Sequence, residues 1–273
     1  DNWYFSKRQD VYNSLIDGSS SAAAMDGSYY LMLLPESTFN INPFNSEEIM
    51  TLLNTISAEH GLIFSGDRMV TYESGERALY NSMFLMADGK ITDTYDKMKL
   101  VPFGEYFPFE NQLKPVKEFF FGNAELFSLG QTPAVFVYNE IRIAPLICFE
   151  ASFSELIRQR IQMGANVLAV SSNESWFGDS LGRQQRLAMN VLRAVEYNRY
   201  LLRSTQDGVS TVIDPNGRLI TRFPEKQYHA EDVKFTVING RTFFALTSYS
   251  WYMLVILAYA LLLMYRRRNT RES

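Results

Sequence analysis

Ile141-Arg142-Ile143-Ala144-Pro145-Leu146-Ile147-Cys148-Phe149-Glu150 decides how the chain is read. Its first seven residues are apolar, partly β-branched and broken by one arginine. That pattern reads as a buried strand feeding a turn. Cys148 stands at the exit and is the only cysteine in the sequence, so no internal disulfide is open to it. It is either a small core hydrophobe, as free cysteines often are, or a nucleophile. A reactive group at the end of a buried strand is held firmly and opens onto a loop.

Strands and helices alternate on both sides of this stretch. Tyr29–Leu34 is an apolar run ended by Pro35, with Glu36 next. Ser46, followed by Glu47 and Glu48, starts a helix to about His60, with Gly61 closing it. Leu62–Tyr72 and Ala78–Ala87 read as strands, and Asp88-Gly89 as a hairpin turn into a short strand ending near Tyr95. Val135–Tyr138 and Ile141–Ile147 form a second hairpin. A helix over Ser152–Met163, a strand over Asn166–Ser171 and a long helix over Leu181–Tyr200 follow. Leu201–Thr205 and Val209–Ile213 complete the strands, and residues 218–240 read as short extended pieces. Residues 3–24 carry a weaker helical pattern. The alternation predicts an α/β fold, with one catalytic domain over 1–242.

Composition narrows the function. The 273 residues are 47% hydrophobic, ample for a core, and the formal net charge is −4. No basic field exists, which argues against nucleic acid as a partner. Two histidines and one cysteine argue against a structural zinc site. Neither a metal nor a cofactor is expected. His60 and His229 receive no role.

The C-terminal end carries no charge from Phe243 to Tyr265, with Tyr249, Trp251, Tyr252 and Tyr265 near its two ends and Arg266, Arg267, Arg268 and Arg271 beyond. A helix of about 20 residues spans the bilayer core, so 243–265 is expected to be a transmembrane helix and 266–273 a basic cytoplasmic tail. The chain starts at Asp1 and reads as a processed or partial piece.

Glu36, Lys97 and Cys148 each follow a strand-like run. A thiol near its free pKa of about 8.5 is mostly protonated at neutral pH and needs a base. A carboxylate can take that proton, and a nearby ammonium can stabilise thiolate and oxyanion. Strand-end Glu and Lys residues are also common as a solvated rim. Phe103, Tyr106, Phe107, Phe109, Phe119, Phe120, Phe121 and Phe127 crowd one stretch, as a lipid-dipping lid or as core.

Pro35-Glu36-Ser37, Lys97 and Ile147-Cys148-Phe149-Glu150 resemble the Glu-Lys-Cys triad of the nitrilase, or carbon–nitrogen hydrolase, superfamily. Tyr95-Asp96-Lys97, Leu100-Val101-Pro102-Phe103-Gly104-Glu105-Tyr106, Asn173-Glu174-Ser175-Trp176-Phe177-Gly178-Asp179 and Asn198–Thr205 resemble its apolipoprotein N-acyltransferase branch. The resemblance implies an αββα sandwich held at a bacterial inner membrane, with its catalytic domain on the periplasmic face. It implies transfer of an acyl chain from a membrane phospholipid to the amine of a diacylglyceryl-cysteine lipoprotein. Glu36 would be the base, Lys97 the oxyanion stabiliser and Cys148 the nucleophile that becomes a thioester. Glu105 and Glu150 would support them. Phe149, Trp176, Phe177 and Tyr106 would line the substrate site. The better-known members carry tyrosine where Phe149 stands, and they have N-terminal membrane helices and a first strand that this sequence lacks. A membrane-anchored amidase or nitrilase, or an inactive lipoprotein-binding module, are the rival expectations.

Overall fold

The computed structural model describes residues 30–39, 42–108, 115, 126–178, 180–225, 229–230 and 232–272. The expected helix over 3–24 lies outside them, as do Phe109 and Phe119–Phe121.

Two sheets lie face to face. The first has the order β1 (Leu31–Leu33), β2 (Gly61–Thr71), β3 (Arg77–Ala87), β4 (Lys90–Asp96). β1 runs parallel to β2, and the others are antiparallel. Asp88 and Gly89 both take positive φ (51° and 68°), the pairing that a two-residue hairpin with the right twist requires. The second sheet has the order β5 (Phe136–Tyr138), β6 (Ile141–Ile147), β7 (Val167–Asn173), β8 (Leu201–Gln206), β9 (Thr211–Ile213). β6, β7 and β8 run parallel, flanked by antiparallel β5 and β9. Parallel strands buried on both faces read as continuous apolar runs, which is why β6 and β7 stand out in the sequence.

Three apolar layers hold the sandwich. Ile63, Met83, Leu85 and Tyr95 from the first sheet meet Phe136, Ile143, Ile147 and Val167 from the second. Outside the first sheet, helix α1 (Glu47–Ser57) lays Ile49, Leu53 and Ile56 on Leu62, Phe64 and Phe84. Outside the second sheet, α2 (Ser154–Gln162) and α3 (Gly182–Tyr197) cover Ala144, Leu146, Leu168 and Val170. The layers therefore run helix, sheet, sheet, helix. Two hydroxyls cross the middle: Ser65 and Ser171 are 2.9 Å apart, and Ser171 Oγ donates to the Leu34 carbonyl at 2.9 Å.

Helix ends follow local chemistry. The Ser46 side chain accepts from Ile49 N–H, and α3 ends where Asn198 turns left-handed at φ 51°. α1 stops at Ser57, short of the expected His60, and Gly61 opens β2 instead of closing the helix. A Cβ at Gly61 would sit 2.8 Å from the Tyr138 ring, so the residue serves sheet packing. Residues 148–152 are a tight 3-10 turn rather than the start of the following helix.

The C-terminal expectation needs correction. The uncharged run from Phe243 is not one helix: α4 (Phe243–Thr247) stops at Ser248, whose φ of 51° breaks the backbone, and α5 runs Ser250–Glu272. Its uncharged part, Ser250 to Tyr265, is about 24 Å long at 1.5 Å per residue, short of the roughly 30 Å hydrocarbon core. Among the described residues, no helix is long and apolar enough to cross a membrane. α4 instead packs on the domain, with Ala245 buried and Phe244 edge-on to Tyr197.

Candidate active site

Cys148 leaves β6 with φ 53°. A non-glycine residue in the left-handed region is uncommon, and such positions gather at functional sites. The turn is held by Glu150, fully buried two residues on. One of its oxygens accepts from the Tyr95 hydroxyl at 2.6 Å, Met98 N–H at 2.7 Å and Lys99 N–H at 3.2 Å. The other accepts from Ile147 N–H at 2.9 Å. Burial pushes the Glu150 carboxyl up, opposed by Arg160, the Tyr95 hydroxyl and the Ile147 and Met98 amides. Glu150 thus ties the residue before Cys148 to the residue after Lys97.

Lys97 follows β4 and is buried. Its Nζ donates to Glu105 at 2.6 Å and lies 3.7 Å from Glu36. Burial pushes the ammonium down, but Glu36, Cys148 and Glu105 together outweigh it and hold Lys97 charged well above its ordinary range. Gly130 makes this possible from behind: its N–H donates to the Lys97 carbonyl at 2.8 Å. A Cβ there would meet the Asp96 carbonyl at 2.1 Å.

Glu36 sits in the turn after β1 and is buried. It accepts from Asn81 Nδ2 at 2.8 Å and from Asn173 N–H at 2.9 Å. The same Asn81 amide reaches Glu105 at 3.2 Å. Glu105 also accepts Val101 N–H at 2.8 Å, which closes the loop after Lys97.

The thiol is raised, first by burial and then by Glu36, against the lowering effects of Lys97, Arg186 and a hydrogen bond with Ser172. A protonated thiol beside a carboxylate and a permanent ammonium can lose its proton to the carboxylate as a carbonyl approaches. Lys97, held charged, cannot be the base and can only donate.

The structure therefore brings Glu36, Lys97, Glu105 and Cys148 together and sets Glu150 behind them. The four expected lining residues differ in their surroundings. Phe149 packs edge-on against Phe153 at 4.9 Å. Phe177 lies under the Arg186 guanidinium at 5.4 Å, whereas Trp176 is 88% exposed. Tyr106 is half-buried, and its carbonyl accepts from Phe103 N–H. Of the aromatic stretch, Phe107 is buried and Phe103 exposed, so its described members divide between core and surface.

Sequence reading missed Asn81, the Asn173 amide, Ser172 and a buried ionic group of Glu174, Arg186 and Arg203. Asn81 and Ser82, two polar residues inside an otherwise apolar strand, were the available signal for the first. Among the described residues, no cluster of three or more His, Cys, Asp or Glu is placed to hold a metal ion.

The chain has relatives among known proteins. Among curated proteins, the chain is 35% identical over 183 residues to an apolipoprotein N-acyltransferase of Vibrio vulnificus, covering 66% of this chain and 36% of the relative. It is 32% identical over 199 residues to one of Pseudomonas putida, covering 72% of this chain and 39% of that one. The chain thus spans less than half the length of these relatives. Among solved structures, a mutant of the Nesterenkonia AN1 amidase from the nitrilase superfamily matches with a TM-score of 0.55 at 20% identity, covering 80% of each chain. A glutamine-dependent NAD+ synthetase from Acinetobacter baumannii matches with a TM-score of 0.58 at 18% identity, covering 80% of this chain and 41% of that one. These two share the fold. The carbon-nitrogen hydrolase family model matches residues 9–231. With most of its length accounted for in this way, the chain belongs to the carbon–nitrogen hydrolase family.

Proposed function

We propose that this chain is the catalytic part of an acyltransferase of lipoprotein maturation, working by a ping-pong route through a Cys148 thioester. The observation that carries the reading is Lys97, kept charged between Glu36 and Glu105. It supplies a fixed donor for an oxyanion and leaves Glu36 as the base.

The steps follow from these roles. The Cys148 S–H proton passes to Glu36, and Sγ bonds to the carbonyl carbon of a phospholipid ester. The oxyanion forms against Lys97 Nζ. Collapse breaks the ester C–O bond, and the proton on Glu36 goes to the departing lysophospholipid oxygen. The amine of a diacylglyceryl-cysteine lipoprotein then attacks the thioester and gives its proton to Glu36. The C–S bond breaks, and the thiol is restored. Glu105 orients Lys97, and Glu150 holds both loops in register.

Two surfaces support a lipid substrate. Trp176 is exposed in the turn just past β7, Phe103 is exposed on the loop that carries Glu105, and α5 exposes Met253, Leu254, Ile256, Leu257 and Leu261. An apolar face of that extent is costly in water and suits lipid contact. We place the domain at the periplasmic surface of a bacterial inner membrane, with α5 against lipid.

Intact-mass measurement after incubation with phospholipid vesicles tests the reading. An acyl-sized adduct on the wild type, absent in Cys148→Ala and discharged by a diacylated lipopeptide, is expected. Adduct discharge by water alone, with free fatty acid and no acylated lipopeptide, would make the chain a hydrolase. No adduct at all would sink both.

A further inference from the structure

A second charged group lies behind the nucleophile, on different elements from the Glu36–Lys97–Glu105 cluster. Glu174, fully buried just after β7, is paired with Arg203 of β8 and with Arg186 of α3, whose Nε is 3.1 Å away. Arg203 also donates to Asn190 at 2.5 Å and to the Val209 carbonyl at 3.0 Å. Arg186 reaches the other way as well, because its Nη2 donates to Ser172 Oγ at 3.2 Å. Ser172 is buried and stands beside Cys148, because the parallel register that pairs Ile147 with Ser171 brings the next residue of each strand to the same end of the sheet. Even the backbone is shaped to this group, since a Cβ on Gly208 would fall 2.1 Å from Glu174 Oε2.

The two clusters have opposite balance. Around Lys97 two carboxylates face one ammonium. Behind Ser172 two guanidiniums face one carboxylate. Moving the proton from sulfur to Glu36 breaks S–H, makes O–H and shifts the negative charge onto sulfur. That shift carries charge away from the acid-rich cluster and toward the arginine-rich one. Burying an excess of guanidinium is costly unless it meets a charge, and the nascent thiolate is that charge.

We propose that Arg186 is a positioning residue for the nucleophile: it fixes the Ser172 hydroxyl against Cys148 Sγ and supplies the cationic field in which the thiolate forms. The lowering effect of Arg186 and Ser172 on the thiol agrees with this. The proposal rests on Cys148 being the nucleophile but not on the acyl donor or acceptor.

The test is the pH dependence of alkylation of the whole chain by iodoacetamide, read by intact mass at its single cysteine. In Arg186→Gln the titration midpoint of Cys148 should rise by about one pH unit or more, with the limiting rate at high pH within about twofold of wild type. Arg186→Lys should return most of the shift. Ser172→Ala should move the midpoint in the same direction by less. An unchanged midpoint in folded Arg186→Gln would overturn the proposal, because a merely structural residue leaves it there. Should that variant fail to fold, an unchanged midpoint in Ser172→Ala would overturn it instead. Absence of a phospholipid adduct alongside a shifted midpoint would refute the acyl-transfer reading and leave this one standing.

Discussion

The Glu150 carboxylate accepts the Met98 N–H at 2.7 Å and so joins two loops that are about 50 residues apart in sequence. Through Ile147 and Met98 it fixes the neighbours of Cys148 and Lys97 together. In Glu150→Gln an amide donor must face N–H or O–H donors. An unsatisfied buried group costs about 1–3 kcal/mol, so Tm should fall by roughly 3–10 °C. Adduct formation should fall with it. A melt within a degree of wild type would refute the bridging role.

Lys97→Met keeps the bulk of the side chain and removes the ammonium. Loss of one oxyanion donor costs about 10²–10³ in kcat, and single-turnover acylation of Cys148 should slow by that factor. A loss below tenfold would move the oxyanion role elsewhere.

Asn81 holds Glu36 and Glu105 with one amide. Asn81→Asp would add a third carboxylate where that donor stood. Acylation should drop more than about tenfold, while Asn81→Ser, which keeps one donor, should be milder. Equal rates in both variants would show that Asn81 is a spacer only.

The Cys148 thiol is raised, with burial the largest cause. The folded chain therefore binds this proton more tightly than the unfolded chain. Its contribution to stability is full below the unfolded pKa of about 8.5 and is lost as pH rises through the folded value. Thermal melts between pH 8 and 10.5 should decline more steeply for wild type than for Cys148→Ala. Parallel curves would contradict the shift.

Leu254, Leu257 and Leu261 are exposed on α5. Changing all three to Glu should abolish flotation of the protein with phospholipid vesicles and leave iodoacetamide labelling of Cys148 intact. Undiminished flotation would remove α5 from the lipid contact.

The sandwich was legible because its central strands are continuous apolar runs, as in Ile141–Ile147 and Asn166–Ser171. Glu36, Lys97 and Cys148 could be picked out only through the family resemblance, since strand-end Glu and Lys residues also suit a solvated rim and the strand before Lys97 is largely polar. What stayed hidden depends on long-range pairing. Asn81 is one polar residue in a strand until Glu36 and Glu105 are folded onto it. Glu174 reads as loop, and Arg186 as a solvated helix face, until β7, α3 and β8 enclose them. The C-terminal run reads as one helix because hydropathy does not report the positive φ at Ser248 that divides it.

That break has a consequence for reach. Thr242 and Gly240 are tied to Glu196 and Arg199, where α3 ends and β8 begins, whereas Cys148 stands at the far, carboxyl end of strands parallel to β8. Attachment and chemistry are therefore at opposite ends of the sheet. Strands of this length measure roughly 20 Å at about 3.3 Å per residue. In the lipid contact proposed above, a helix departing from α4 would act as a mooring line that sets how far the domain ranges, at the end of the sheet away from the thiol. Shortening α5 would restrict that range without touching a reacting atom.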